Sequence, residues 1–391
     1  MVDIDTRVTQ WLQQAGFVFD PFYHLEASQD DHLLDFLVIY EDLKQAWEKG
    51  SALVVAPVGG GKTALCHYVT WVSRRGLQPF FAVLYVLARY WEHRPPATVA
   101  AQASGLGQAL ARSLLFQLLT FPQVFLDFAA ADQGLIRSWL WRVYREMPLM
   151  LARWRAMLDS PTPTTAWQQL LGDLAGTAQI AGYAPPPRRH LQEVGELLHP
   201  GENNLRPAHH LDGELLGDFL SFIRQVYGSE IVLFLVDGMD AFMEGGDHDK
   251  GRGKEQVWMQ NWLESWMVSL PDFVQFKAFI PPSWVPANIP SKVVRVEFRW
   301  TRPLLTEVIR RRVMVATAGR FDSLDAIAES GIRNSERVIV DQIGALLPRE
   351  LILFVRRIFL EHIISNSDDA LLREDDIYKA YKWYKNLQFH S

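Results

Sequence analysis

Cysteine is nearly absent: Cys66 is the one such residue in a chain of 391. A single thiol excludes an intrachain disulfide and a zinc site built from cysteines. Its scarcity fits a reducing compartment. Long apolar runs are missing too. The longest clean block, 231–236, has strand length, and nothing approaches the roughly 18 apolar residues that a membrane-crossing helix requires. The opening residues MVDIDTRVTQWLQQ carry two early aspartates and no basic-then-apolar pattern. No secretory signal is therefore evident, and a cytoplasmic chain without a membrane partner is expected. Charge of one sign is also in short supply. The 39 basic and 45 acidic residues leave a net charge of -6, which disfavours a bulk polyanion binder while leaving room for a local basic face. No helix-turn-helix, zinc-finger or RNA-recognition pattern is legible, and no repeat of fixed period is visible.

What is present is ordinary globular material. Hydrophobic residues make up 49% and charged residues 21%, enough apolar surface for a large core and too much for disorder over most of the length. At roughly 150 residues per domain, two to three domains are expected. The 14 tryptophans and 22 phenylalanines read as packing between helices.

Residues 1–50 read as a helical segment broken at Phe19-Asp20-Pro21-Phe22. Within it, Leu33, Leu34, Leu37, Val38, Leu43, Ala46 and Trp47 recur at helical spacing and predict a helix over 31–49, stopped by Gly50. A valine-rich run at 51–56 reads as a buried strand. A glycine-rich turn follows, then a helix over 62–75 and a second strand over 80–88. Strand, loop, helix and strand in that order open a parallel α/β domain. From 89 to 229 the pattern changes to Leu-, Ala- and Trp-rich helices separated by proline-rich breaks, which predicts a helical insertion. Its stretch 184–210, rich in Pro, Arg and His, reads as a mobile loop. Strands return at 231–237, 274–280 and 293–298. A charged glycine-rich loop is expected over 244–254 and a helix over 256–270, with Trp258, Trp262 and Trp266 on one face as core. From 302 onward the chain reads helical, with breaks near Gly319, Gly331, Pro348 and Ser365-Asn366-Ser367. The domains are thus an N-terminal helical segment (1–50), an α/β core (51–300, insertion 89–229) and a C-terminal helical domain (301–391).

The strongest local signal is Ala56-Pro57-Val58-Gly59-Gly60-Gly61-Lys62-Thr63, followed by Ala64. It matches the phosphate-loop pattern GxxxxGK[ST] except that Ala56 replaces the first glycine. Glycines let backbone N–H groups turn inward around an anion, and a helix opening near Lys62 aims its positive end at the same place. Lys62 would reach the β- and γ-phosphates of ATP, and Thr63 would give its hydroxyl to Mg²⁺. A carboxylate near the metal and a group for the attacking water are also needed. The run Ile231-Val232-Leu233-Phe234-Leu235-Val236-Asp237-Gly238-Met239-Asp240 supplies both. Asp237 ends a buried strand, where ligands of α/β sheets sit, and would hold Mg²⁺ through water. Asp240 would orient or deprotonate the attacking water.

The APVGGGKT loop together with the LFLVDGMD strand resembles the additional-strand class of P-loop NTPases, and within it the STAND and origin-recognition-like AAA+ ATPases. The resemblance covers roughly 50–88 and 230–380. It implies a P-loop NTPase core with a parallel sheet of strand order 5-1-4-3-2, a large helical insertion and a C-terminal helical lid. It also implies a polar sensor near Ser283 after the fourth strand, and a lid arginine, Arg349, that reports the γ-phosphate. Phe19–Phe22 is either an adenine-packing segment or a simple helix break. Two departures bear on turnover. Gly238 stands where most AAA+ proteins carry a catalytic glutamate, and Ala241 replaces the last acid of the STAND pattern, so slow hydrolysis is implied.

Arg310, Arg311 and Arg312 splay around one helix by about 100° each and do not form a patch; a solvated face with one structural pair is expected. The insertion adds Arg137, Arg142, Arg145, Arg153 and Arg155 among Trp139, Trp141 and Trp154, which could meet DNA or an acidic partner. Three functions remain open. The first is a nucleotide-switched regulatory or signalling ATPase, in the manner of a bacterial defence system, meeting a protein partner or a second copy through insertion or lid. The others are a DNA-associated AAA+ loader and a nucleotide-binding scaffold without turnover. Cys66 reads as a small buried residue.

Overall fold

The computed structural model describes residues 3–40, 43, 46–48, 50–76, 78–180, 182–199, 213–242, 252–365 and 371–390. Contacts divide the chain into two compact units. One comprises 42–57 and 65–297; the other comprises 1–41, 58–64 and 298–391.

The first unit is built on five strands: β1 (Ser51–Val55), β2 (Phe80–Val86), β3 (Ile231–Asp237), β4 (Val274–Ile280) and β5 (Val293–Glu297). Every pairing is parallel, in the order β2-β3-β4-β1-β5. Read from the opposite edge, that is the expected 5-1-4-3-2. Residues of β1 and β3 are buried throughout, whereas β5, at one edge, exposes Val294 and Arg295. Continuous apolar runs are what a parallel sheet covered on both faces demands. The helix Lys62–Arg74 is tied to β2 near its end: buried Ser73 donates to the Phe80 carbonyl at 2.8 Å and accepts from the Ala82 N–H at 2.9 Å.

Between β2 and β3 lie the helices Val99–Thr120, Pro122–Leu126, Ala130–Val143, Met147–Asp159, Pro163–Ala175, Arg188–Leu197 and Gly213–Val226. Prolines sit in the first turn of three of them, where a missing N–H costs nothing, so several breaks in the sequence are helix starts. The expected mobile loop over 184–210 is corrected in part. Arg188–Leu197 is a helix that buries Leu191 and Val194, with Leu198 buried just beyond it. That apolar spacing was visible, but the preceding proline run outweighed it; Pro187 in fact stands at the helix start. Residues 200–210 lie outside the described residues, as do 244–251 of the expected charged loop.

The tryptophans are interior here. Trp139 stacks on Phe219 at 3.8 Å, Trp154 donates to the Leu191 carbonyl at 3.0 Å, and Trp141 donates to the Leu198 carbonyl at 2.9 Å. Trp262 and Trp266 pack against Phe276 of β4. Cys66 is fully buried.

The second unit has its own core. Val8, Trp11 and Leu12 of the helix Ile4–Gln14 join residues of Arg302–Ala316, Ser335–Gln342, Pro348–Ser365 and Glu374–His390 in one hydrophobic cluster. The N-terminal segment and the C-terminal helices therefore share a single core. Phe22 is fully buried, edge-on to Phe359, so the break at Phe19–Phe22 serves packing. Arg312 is the one buried member of its triplet and pairs with Asp30 at 3.1 Å, which is the structural pair expected. The helix expected over 31–49 is corrected in part: Leu33–Phe36 is helical, Leu37 turns to extended backbone and residues 38–40 are not helical, whereas Leu43 is helical again and 41, 42, 44, 45 and 49 lie outside the described residues. A tertiary contact competes for the backbone, since Arg311 Nε takes the Asp35 carbonyl at 2.7 Å that the next helical turn would use. No described helix is long and apolar enough to cross a membrane.

Candidate functional site

Two segments carry the candidate chemistry, and each is held by its own unit. In the sheet unit, register relates the end of β3 to β1 across β4. Val236 faces Ala278 and Val54 faces Phe279. Asp237 therefore stands level with Val54 across one intervening strand, about 10 Å away at the usual strand spacing. The carboxyl edge of the sheet thus presents Ala56 and Pro57 as they leave β1, and Asp237 as it ends β3. Asp237 is 5% exposed. Gly238 follows with φ +83°, and Met239–Phe242 form a short turn that carries Asp240. A side chain is disfavoured at that φ, so the position next to Asp237 is shaped against the glutamate that the resembling ATPases use. Ser283 lies exposed in the turn after β4.

The other segment is 58–64. Gly59 and Gly61 adopt φ +79° and +90°, and the helix opens at Lys62. Left-handed glycines alternating with ordinary residues turn successive N–H groups to one side, the arrangement that favours an anion. Lys62 is buried and Thr63 half-buried. Two residues of the C-terminal region hold this turn. The Arg349 N–H donates to the Gly59 carbonyl at 3.3 Å, and Trp300 Nε1 donates to the Gly60 carbonyl at 2.9 Å. A Cβ added at Gly59 would lie 2.9 Å from Arg349 Cβ, so this glycine is required both by its conformation and by that close approach. The Arg349 guanidinium pairs with Glu26.

No known protein family, curated protein or solved structure matches this chain.

The residues singled out in the sequence therefore fall into two groups: Ala56, Pro57, Asp237 and Asp240 in the sheet unit, and Val58, Gly59, Gly60, Gly61, Lys62, Thr63, Ala64 and Arg349 in the other. Arg349 does come beside the glycine turn. Trp300 and Glu26 escaped sequence reading, because a lone tryptophan after β5 and a lone glutamate in a loop have no periodicity or motif around them. The same holds for a buried network behind the loop helix. Gln179 donates to His67 Nδ1 at 2.6 Å and to the His67 carbonyl at 3.0 Å, while Arg74 donates to the Gln179 side-chain oxygen at 2.6 Å. Burial, with Arg89 and Arg74 nearby, pushes His67 down to about 3, so its ring is neutral and can accept that bond. Among the described residues no group of three or more His, Cys, Asp or Glu gathers to hold a metal; a metal here would depend on nucleotide oxygens for much of its shell.

Proposed function

We propose that this chain is a P-loop ATPase that binds ATP with Mg²⁺ at residues 56–64 and switches its assembly, with itself or a protein partner, according to the nucleotide. The observation that carries this reading is the local one. A buried parallel strand runs into a turn with left-handed Gly59 and Gly61, and a helix opens at Lys62. Lys62 would bind the β- and γ-phosphates, Thr63 would give its hydroxyl to Mg²⁺, and Asp237 would hold that ion through water. Mg²⁺, when bound, supplies charge neutralisation on the phosphate oxygens. Asp240 would orient the attacking water. Arg349, whose backbone N–H meets the Gly59 carbonyl, would report the γ-phosphate. No membrane partner is invoked, and the setting proposed is the cytoplasm.

A second reading, a nucleotide-binding scaffold with little turnover, is favoured by the left-handed Gly238 beside Asp237. A DNA-associated loader has less support, since Trp139 and Trp154 of the arginine-rich stretch are buried in the unit's own core. The test is calorimetry with a non-hydrolysable ATP analogue and Mg²⁺. Lys62→Ala removes a charged contact worth about 1.5–3 kcal/mol, so affinity should fall roughly ten- to hundredfold. Equal affinity in both proteins would overturn the assignment. Native mass measurement with ADP and with the analogue then reads the switch; identical assembly in both leaves the scaffold reading in its place.

A further inference from the structure

A cavity of about 850 Å³ opens at the amino edge of the sheet, where the helix Lys62–Arg74 ends and β2 begins. It lies at the opposite end of the strands from Asp237. Its walls include Trp71, Arg74, Arg75, Phe121, Tyr183 and Tyr227, and no acidic residue is among those lining it. The volume falls within the range usual for small-molecule sites.

The two arginines are the unusual feature. Arg74 is 7% exposed. Its guanidinium has a neutral acceptor in Gln179 at 2.6 Å and lies over the Phe116 ring at 3.6 Å, while its Nε has no hydrogen-bond partner. Among the described residues it has no carboxylate partner. Burial lowers its pKa to about 10, which still leaves it charged at neutral pH. A buried guanidinium normally finds an anion, because an uncompensated charge away from water is costly. Arg75 is exposed, donates to the Gly182 carbonyl at 2.5 Å and lies 4.6 Å from the Trp71 ring. Two positive charges outweigh the partial negative charge, about half a unit, at the end of the helix.

We propose that this cavity binds a small planar organic anion. The arginines would take its carboxylate or phosphate, and the aromatic walls would take its ring. The site is separate from the nucleotide loop and does not depend on it. It touches both the loop helix, through Arg74, and the helical insertion, through Phe121 and Tyr183, so an occupant would bear on the contact between them.

Calorimetry with phenyl phosphate, benzoate and neutral phenol tests this on the full chain. At least one anion should bind about tenfold or more tightly than phenol, the value of one charge-assisted contact. The tighter anion identifies the acidic group. Arg75→Gln, at an exposed position that spares the fold, should weaken the anion about tenfold, and Arg74→Gln should do so more strongly if it folds. Lys62→Ala should leave anion binding unchanged. Binding of neither anion, equal binding of phenol, an unaffected Arg75→Gln, or loss of binding in Lys62→Ala would each overturn the proposal.

Discussion

The carboxyl and amino edges of the parallel sheet differ in the charged groups that the strands themselves bury. At the carboxyl edge β3 ends in a buried acid, Asp237. At the amino edge the buried groups are bases. Lys277 of β4 donates to the Glu48 and Gly50 carbonyls, both at 2.7 Å, and Arg74 ends the loop helix. Chain polarity accounts for part of this. Every strand runs the same way, so helices that follow strands start near the carboxyl edge and finish near the amino edge. Their positive ends suit phosphate, and their negative ends, with the backbone carbonyls that precede the strands, suit cations. The difference is that β3 ends in a buried carboxylate at the first edge, whereas the loop helix ends in a buried guanidinium at the second.

The largest effect that would break this contrast lies at the carboxyl edge. Asp240→Asn should lower ATP turnover by about a hundredfold, the usual value of a positioned base, while calorimetry shows ATP binding nearly intact. Full turnover in that variant would remove Asp240 from the chemistry. Asp237→Asn should weaken Mg²⁺-dependent analogue binding by roughly tenfold or more, with little change when Mg²⁺ is chelated. An equal loss with and without metal would make Asp237 a structural residue.

The amino edge gives a pH signature. Burial brings Lys277 down to about 8 from its ordinary 10.5, against a smaller opposing pull from Glu48. Between those values the unfolded chain holds the proton and the folded chain has lost it. Stability contributed at this position should therefore rise with pH across that window. Urea titrations of wild type and Lys277→Met should show the wild type gaining on the variant from pH 8 to 10, by on the order of 2 kcal/mol. A flat difference would mean that the ammonium is no more costly inside than in water.

The smallest effect concerns Glu26, whose pair with Arg349 is partly exposed on both sides. Glu26→Gln should change stability by less than about 1 kcal/mol, read by the same titration. A larger loss would make the pair a clamp on the second unit.

Most strands were legible because a sheet covered on both faces leaves continuous apolar runs: β3 and β4 match their expected bounds, and β1, β2 and β5 differ only at their carboxyl ends. The glycine turn was legible because Gly59 and Gly61 need a conformation that few other residues tolerate. The expected helix over 31–49 is interrupted at 37–40 despite its amphipathic spacing, because Arg311 takes the Asp35 carbonyl that the next helical turn would need. Contacts such as Trp300 on Gly60, or Gln179 on His67, join residues far apart in sequence, and no local pattern announces them. Arg349 was found only through a resemblance, since one arginine after a proline carries no spacing of its own.

Hydrogen exchange with and without a Mg²⁺-bound ATP analogue tests the central claim most directly, because it reads both sheet edges in one experiment. Binding at the loop should slow exchange of the amides from Val58 to Thr63 and around Asp237, and leave those from Phe80 to Ala82 at the amino edge unchanged. Unchanged exchange at 58–63, with saturating analogue present, would contradict the account.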